Sequence, residues 1–208
     1  MDFIIFGFIA YILGSIPTAV WIGKAYYSID IRKHGSFNAG ATNTFRVLGK
    51  KPGIVVLLID VVKGSLAVLL PYFILGTSID NERMALIQIL TAILVVVGHV
   101  FPVFANFDGG KGVATSLGVI IGLHPPAAII CFAFFLIVFM ISKYVSLGAI
   151  VGAFMFPVLI NLVFQVDSFW LRLFSVILGA LVIITHKKNI VRIMKGEESK
   201  MNLLKKQP

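Results

Sequence analysis

The sequence predicts an all-α, polytopic membrane protein of about seven transmembrane helices, at least one of them short or broken. Three observations predict it. Of 208 residues, 59% are hydrophobic and only 13% are charged, against roughly 25% charged in a soluble domain. The mean hydropathy is +1.00. The apolar residues also fall into long runs, most of them close to the roughly 20 residues a helix needs to cross the hydrocarbon layer.

The runs follow in order. The first, 3–23, has no basic residue before it and is followed by Lys24, which argues against a cleaved signal peptide. A polar linker, 24–52, leads to spans at 53–76 and 85–104. The fourth run, 112–123, rises only about 18 Å against a hydrocarbon core of about 30 Å. It reads as a half-helix buried in protein or a re-entrant segment, ended by His124-Pro125-Pro126. Irregular backbone at that depth is tolerated only inside protein or beside water. The competing reading merges 112–142 into one long kinked helix. Spans at 127–142, 147–166 and 169–185 complete the set. Residues 1–193 then form one integral membrane domain, and 194–208 a polar, basic, frayed tail. No internal repeat stands out beyond a weak echo of Gly14-Ser15 in Gly35-Ser36.

Charge sets the orientation. Lys24, Arg32, Lys33, Arg46, Lys50 and Lys51 crowd the first linker, Lys111 and Lys143 follow later apolar runs, and seven basic residues from Lys187 to Lys206 end the chain. The other side holds only Arg83 and Arg172, beside Asp2, Asp80, Glu82 and Asp167. The positive-inside rule places the amino terminus outside and the carboxyl terminus in the cytoplasm. Seven crossings satisfy that parity, and so do five. The net charge of +9 therefore reads as topology and anionic-lipid contact, not as a nucleic-acid surface. The single cysteine, Cys131, lies in an apolar run, and no Cys/His cluster points to a metal.

Two glycine-rich loops carry the chemistry. The first reads Gly35-Ser36-Phe37-Asn38-Ala39-Gly40-Ala41-Thr42-Asn43, with Arg46 close behind. The second reads Phe107-Asp108-Gly109-Gly110-Lys111-Gly112. Glycines let backbone N–H groups approach a ligand, Ser, Thr and Asn add neutral donors, and Lys and Arg add charge. That is the composition of a phosphate cradle. The plainer reading of the first loop is a cluster of turn residues, which leaves Arg46 unexplained. The second loop fails the nucleotide P-loop pattern, because Ala105 and Gly112 stand where a Gly and a Ser or Thr are required. Lys111 between glycines can still hold a phosphate, with the amides of Gly110 and Gly112 and a helix start near Gly112 assisting. Its plainer reading is a topology lysine.

Other polar residues are weighed the same way. Asp60 and Lys63 share one helix face in the second span and read as a mutually neutralising structural pair, with a functional pair as the alternative. His99 orients the second loop or caps its helix. His186 and Asn189, one turn apart at the inner end of the last span, are candidate further contacts, as are Lys143 and Ser146. Tyr144 reads as an interfacial aromatic and Ser146 also as a helix N-cap. No His is followed five positions later by Asp, there is no GxSxG, and Asp108 is the only acid in either loop. Catalysis has to rest on charge stabilisation and positioning.

Gly14-Ser15-Ile16-Pro17, Gly35-Ser36-x-Asn38-x-Gly40-Ala41-Thr42-Asn43-x-x-Arg46, Gly98-His99-x-x-Pro102-Val103-Phe104, Gly109-Gly110-Lys111-Gly112-Val113-Ala114-Thr115 and Lys143-Tyr144-Val145-Ser146-Leu147 resemble the bacterial acyl-phosphate:glycerol-3-phosphate acyltransferases. The match runs in order from the first span to His186. One departure is Phe37, which stands where the family often has glycine. The resemblance implies a seven-span inner-membrane enzyme that transfers a fatty acyl group from acyl phosphate to glycerol 3-phosphate, giving lysophosphatidic acid and phosphate. It implies no cofactor, no metal, no use of acyl-CoA, and membrane lipids and a peripheral enzyme that makes acyl phosphate as partners. Lys111, Arg46, Ser36 and Thr42 would act in catalysis. Asn38, Gly40, Asn43, Gly109, Gly110, Gly112, Lys143, Ser146, His186 and Asn189 would bind substrate. A transporter for a phosphate ester or other anion is the alternative, weakened by the lack of paired broken helices in two matching halves. A lipid-binding scaffold without catalysis is a third.

Overall fold

A computed structural model describes residues 1–76 and 78–201; Lys205 and Lys206 of the basic tail lie outside them. The described residues are helical, with no strand among them. They pack as two compact units that divide between His124 and Pro125.

The first unit opens with α1 (Asp2–Gly14) and α2 (Thr18–Tyr27). The two fill the run expected to be one span. They part at Ser15-Ile16-Pro17, because proline lacks the N–H a helix needs and keeps the preceding residue out of helical conformation. A break inside a membrane leaves carbonyls that must find donors. Lys63 supplies them: its ammonium donates to the carbonyls of Gly14 at 3.1 Å and Ile16 at 3.0 Å. Asp60 sits 2.9 Å from that ammonium and accepts from the Thr18 hydroxyl at 3.3 Å, in the first turn of α2. A cation thus meets the carboxyl end of α1 and an anion the amino end of α2, the arrangement both helix dipoles favour.

Both partners lie on α4 (Lys50–Leu75), which follows the short α3 (Ala41–Leu48). The chain returns through α5 (Asn81–Val100) and a 3₁₀ turn at Val103–Ala105, then enters α6 (Val113–Leu123). α6 lies against α4. A Cβ on Gly118 would run into the Val61 carbonyl and one on Gly64 into that of Thr115, so small residues permit the close approach typical of membrane helices. Arg83 pairs with Asp2 at 2.8 Å. The start of α1 and the start of α5 therefore share one end of this unit.

α6 stops at Leu123, His124 leaves the helix, and α7 begins at Pro125. The short fourth run thus ends at the His-Pro-Pro break the sequence marks, with proline at the first helical position where its missing N–H costs nothing.

The second unit holds α7 (Pro125–Ser142), α8 (Val145–Val158), α9 (Phe169–Thr185) and α10 (Lys187–Met194). α8 runs on into a π-helical turn, Leu159–Val163, just after Pro157. Asn161 satisfies the loosened backbone by donating to the Pro157 carbonyl at 2.8 Å and to the Ser175 hydroxyl at 3.2 Å.

Among the described residues, five helical stretches are long and apolar enough to cross a membrane: Asp2–Tyr27, Lys50–Leu75, Asn81–Ala105, Pro125–Ser142 and Val145–Val163. A sixth results if α9 and α10, bent by 57°, count as one span, and α6 is the short apolar segment.

Candidate active site

The first loop is built around one buried side chain. The Asn43 amide nitrogen donates to the carbonyls of Ile31 and His34, each at 2.9 Å, and of Asn38 at 3.1 Å. Its oxygen accepts from the Ser36 N–H at 2.8 Å. Asn43, expected as a substrate contact, thus uses its amide as the scaffold that folds residues 31–38 over the start of α3. Gly40 is the N-cap of α3. Glycine brings no capping oxygen, so the amino end of the helix depends on other acceptors for its first N–H groups. Thr42 and Arg46 are one turn apart on α3 and share a face. Ser36, Asn38, Thr42 and Arg46 are all half-buried.

Phe37, at the loop tip, has φ +58 and is 67% exposed. Left-handed backbone strains any residue with a Cβ. A glycine at this position would carry no such strain.

The second loop lies against the end of α5. The N–H of Gly110 donates to the His99 carbonyl at 3.1 Å. The Gly110 amide, expected to assist a bound phosphate, is already engaged. A Cβ on Gly110 would collide with the His99 ring, and one on Gly109 with the His99 carbonyl. These two glycines allow the loop to seat on α5, while Gly112 has φ +79 and forms the N-cap of α6. Like α3, α6 opens with a glycine cap, here next to the half-buried Lys111. His99 is itself buried, with Nδ1 3.7 Å from Asp60. Of its two expected roles, the contact with Gly110 favours orienting the loop.

Arg32 joins the loops. Its guanidinium grips Asp30 through Nε at 3.0 Å and a terminal nitrogen at 2.8 Å. The other terminal nitrogen donates to the Ala105 carbonyl at 2.8 Å and stands 3.7 Å from Asp108. The hydrogen bonds from Arg32 hold the Asp30 carboxyl well below the usual carboxylate range. A depressed carboxylate contributes fully above its unfolded pKa and loses its contribution as pH falls through the folded one, so the clasp weakens only in acid. Both glycine loops lie at the same end of the first unit.

In the second unit, Ser146 and Asn189 converge on a residue that sequence reasoning left in the frayed tail. The Ser146 hydroxyl and the Asn189 amide donate to one carboxylate oxygen of Glu198, at 2.7 Å and 2.6 Å. Arg192 approaches the other at 3.3 Å. The Met201 N–H donates to the Lys143 carbonyl at 2.9 Å, and Lys200 lies 5.7 Å above the Tyr144 ring. The chain after α10 is therefore tied to the start of α8. No sequence signal singled out Glu198, an acid among lysines in a polar stretch. His186 is buried, its Nδ1 2.7 Å from the Val182 carbonyl, and Lys143 is exposed.

The chain resembles known proteins over nearly its whole length. A family model described as glycerol-3-phosphate acyltransferase matches residues 4–196. A Listeria monocytogenes protein named glycerol-3-phosphate acyltransferase is 43% identical over 202 residues, 97% of this chain and 98% of its own. A Streptococcus pyogenes protein of the same name is 41% identical over 206 residues, 96% and 93% of the two chains. The crystal structure of an integral membrane glycerol 3-phosphate acyltransferase in its glycerol 3-phosphate form matches with a TM-score of 0.88 and 34% identity over 98% of each chain. Its lysophosphatidic acid form matches at 0.82, over 98% and 97%.

Proposed function

The chain belongs to the glycerol-3-phosphate acyltransferase family, and from that premise we propose that it transfers a fatty acyl group from acyl phosphate to sn-glycerol 3-phosphate. The products are lysophosphatidic acid and inorganic phosphate. It is an integral membrane acyltransferase of phospholipid synthesis. The transporter reading falls away, since its relatives are acyltransferases over nearly their whole length.

The observation that carries the two-phosphate reading is the pair of glycine-capped helix starts, α3 and α6, held at one end of the first unit, with Lys111 beside the start of α6 and Arg46 in the last turn of α3. Acyl phosphate and glycerol 3-phosphate are both anions, and each helix start favours one. The solved relative carries glycerol 3-phosphate in one form and lysophosphatidic acid in the other, which are the acceptor and product of this reaction.

The chemistry asks little of a protein base. Acyl phosphate is a mixed anhydride with a good leaving group. The glycerol hydroxyl oxygen bonds to the acyl carbon, and the bond from that carbon to the phosphate oxygen breaks. The hydroxyl proton passes to a substrate phosphate. Arg46 and Lys111 offset the charge that gathers on the departing phosphate, and Ser36 and Thr42 add hydrogen bonds. Asn38, Gly40, Gly109 and Gly112 shape the cradles, and Asn43 and Gly110 act through the scaffold. In the second unit Lys143, Ser146, His186 and Asn189 are assigned to substrate binding by the resemblance. The partners are membrane lipids and the peripheral enzyme that supplies acyl phosphate. The place is the bacterial inner membrane, with the amino terminus outside and the loops in the cytoplasm.

Purified protein given acyl phosphate and glycerol 3-phosphate is expected to form lysophosphatidic acid, and to form none with acyl-CoA. Equal rates with acyl-CoA would overturn the donor assignment. Lys111→Ala is expected to cost about 2–4 kcal/mol of transition-state stabilisation, roughly 30- to 1,000-fold in rate. Near-normal turnover would reduce Lys111 to a topology charge.

A further inference from the structure

The geometry points to Arg32 as a positioning residue that holds the second glycine loop in register with the first. By charge pattern alone Arg32 belongs with the topology determinants of the first linker. Its surroundings argue otherwise. A topology charge reaches into water or toward headgroups, whereas this side chain is only 15% exposed. Its fork is divided between a near neighbour and a segment 73 residues on in sequence: a two-pronged grip on Asp30 behind the first loop, and a bond to the Ala105 carbonyl before the second.

Each end of the clasp is anchored. Asp30 also accepts the Arg32 backbone N–H at 3.1 Å and has Lys24 3.6 Å away. Between the two polar residues, Ile31 is fully buried in a cluster with Ala19, Val20, Ala39 and Val56. The pedestal is thus fixed to the packed part of the unit that also carries the first loop. At the other end, Ala105 closes the 3₁₀ turn and its carbonyl also accepts from the Asp108 N–H at 3.2 Å. The turn leads within four residues to Gly109. A lysine could keep the charge and reach one end, but it lacks the planar fork that serves both. Asp108 is peripheral, being farther from the guanidinium and well exposed.

The consequence concerns the reaction. Two substrates bound on separate loops react only when the loops hold them within a fraction of an ångström of attack geometry, and a 1 Å misplacement costs on the order of 100-fold. Arg32 sets that distance without touching either substrate. This rests on the two-loop reading of the active site.

The test is steady-state kinetics of the purified full-length protein with acyl phosphate and glycerol 3-phosphate, beside its thermal midpoint. Arg32→Ala and Arg32→Lys are each expected to lose at least tenfold in kcat/KM, with Arg32→Lys melting like the parent. Asp108→Asn is expected to stay within about threefold of the parent. Placed on Lys111→Ala, Arg32→Ala is expected to add less than about threefold, because there is no longer a lysine to position. Full activity in Arg32→Lys would show that charge alone suffices and overturn the proposal, as would penalties of Arg32→Ala and Lys111→Ala that multiply. The parent's own turnover, measured alongside, separates failure of the clasp from failure of the donor assignment.

Discussion

Residue by residue, most of the glycines and amides in the two loops serve the backbone before they serve a ligand. The composition of the loops was legible in the sequence; the division of labour inside them was not. A one-dimensional string does not reveal that Asn43 is spent on four backbone groups, or that Gly110 faces a histidine ring. Those facts follow from which segment the folded chain places opposite. Phe37 is a further case, since only the folded chain shows that it sits in left-handed backbone, with a φ of +58. Phe37→Gly is expected to stabilise the protein by about 1 kcal/mol, the cost of holding a residue with a Cβ in left-handed backbone. A raised thermal midpoint checks it. An unchanged or lowered midpoint would mean that the exposed ring is itself held by a contact worth that strain, at the membrane interface for example.

At the scale of elements, the long apolar runs fixed the helices well, because hydrophobic length is a direct demand of the bilayer. The His124-Pro125-Pro126 break was equally legible, since proline states its own constraint. The break between α1 and α2 was missed although Pro17 marks it, because hydropathy stays high across Gly14-Ser15-Ile16-Pro17. α3 and α10 were missed for the opposite reason, being short and polar on one face. The break also gives the intramembrane pair its purpose. Lys63 and Asp60 have side chains only 5% and 2% exposed. They complete the ends of two half-helices, which supports the structural reading of the pair. Asp60→Asn leaves the ammonium of Lys63 without its counter-charge in low dielectric, at an expected cost of about 3–5 kcal/mol. The thermal midpoint should fall steeply, and whatever activity survives should track the folded fraction. A variant that melts like the parent yet turns over no substrate would make the pair part of the chemistry.

For the whole molecule, the decisive property is which ends face the cytosol, where glycerol 3-phosphate is found. The charge pattern is the physical basis for an answer: basic residues resist translocation, and they gather in the linkers and tail that hold both glycine loops. The first unit bears on this in one respect. The Asp2–Arg83 pair ties the amino terminus to the α4–α5 turn at one end, and Arg32 ties the two loops together at the other. Within that unit, placing the amino terminus outside therefore places both loops inside. A cysteine at Asn81 in a Cys131→Ser background is expected to react with an impermeant thiol reagent added to intact cells. A cysteine at Lys33, exposed beside the first loop, is expected to react only after permeabilisation. Replacing Cys131, the single cysteine of the chain, leaves the introduced cysteine as the only thiol to label. The reverse labelling pattern would put both cradles on the outer face, away from a cytosolic acceptor. No adjustment of loop geometry could reconcile that orientation with glycerol 3-phosphate drawn from the cytosol.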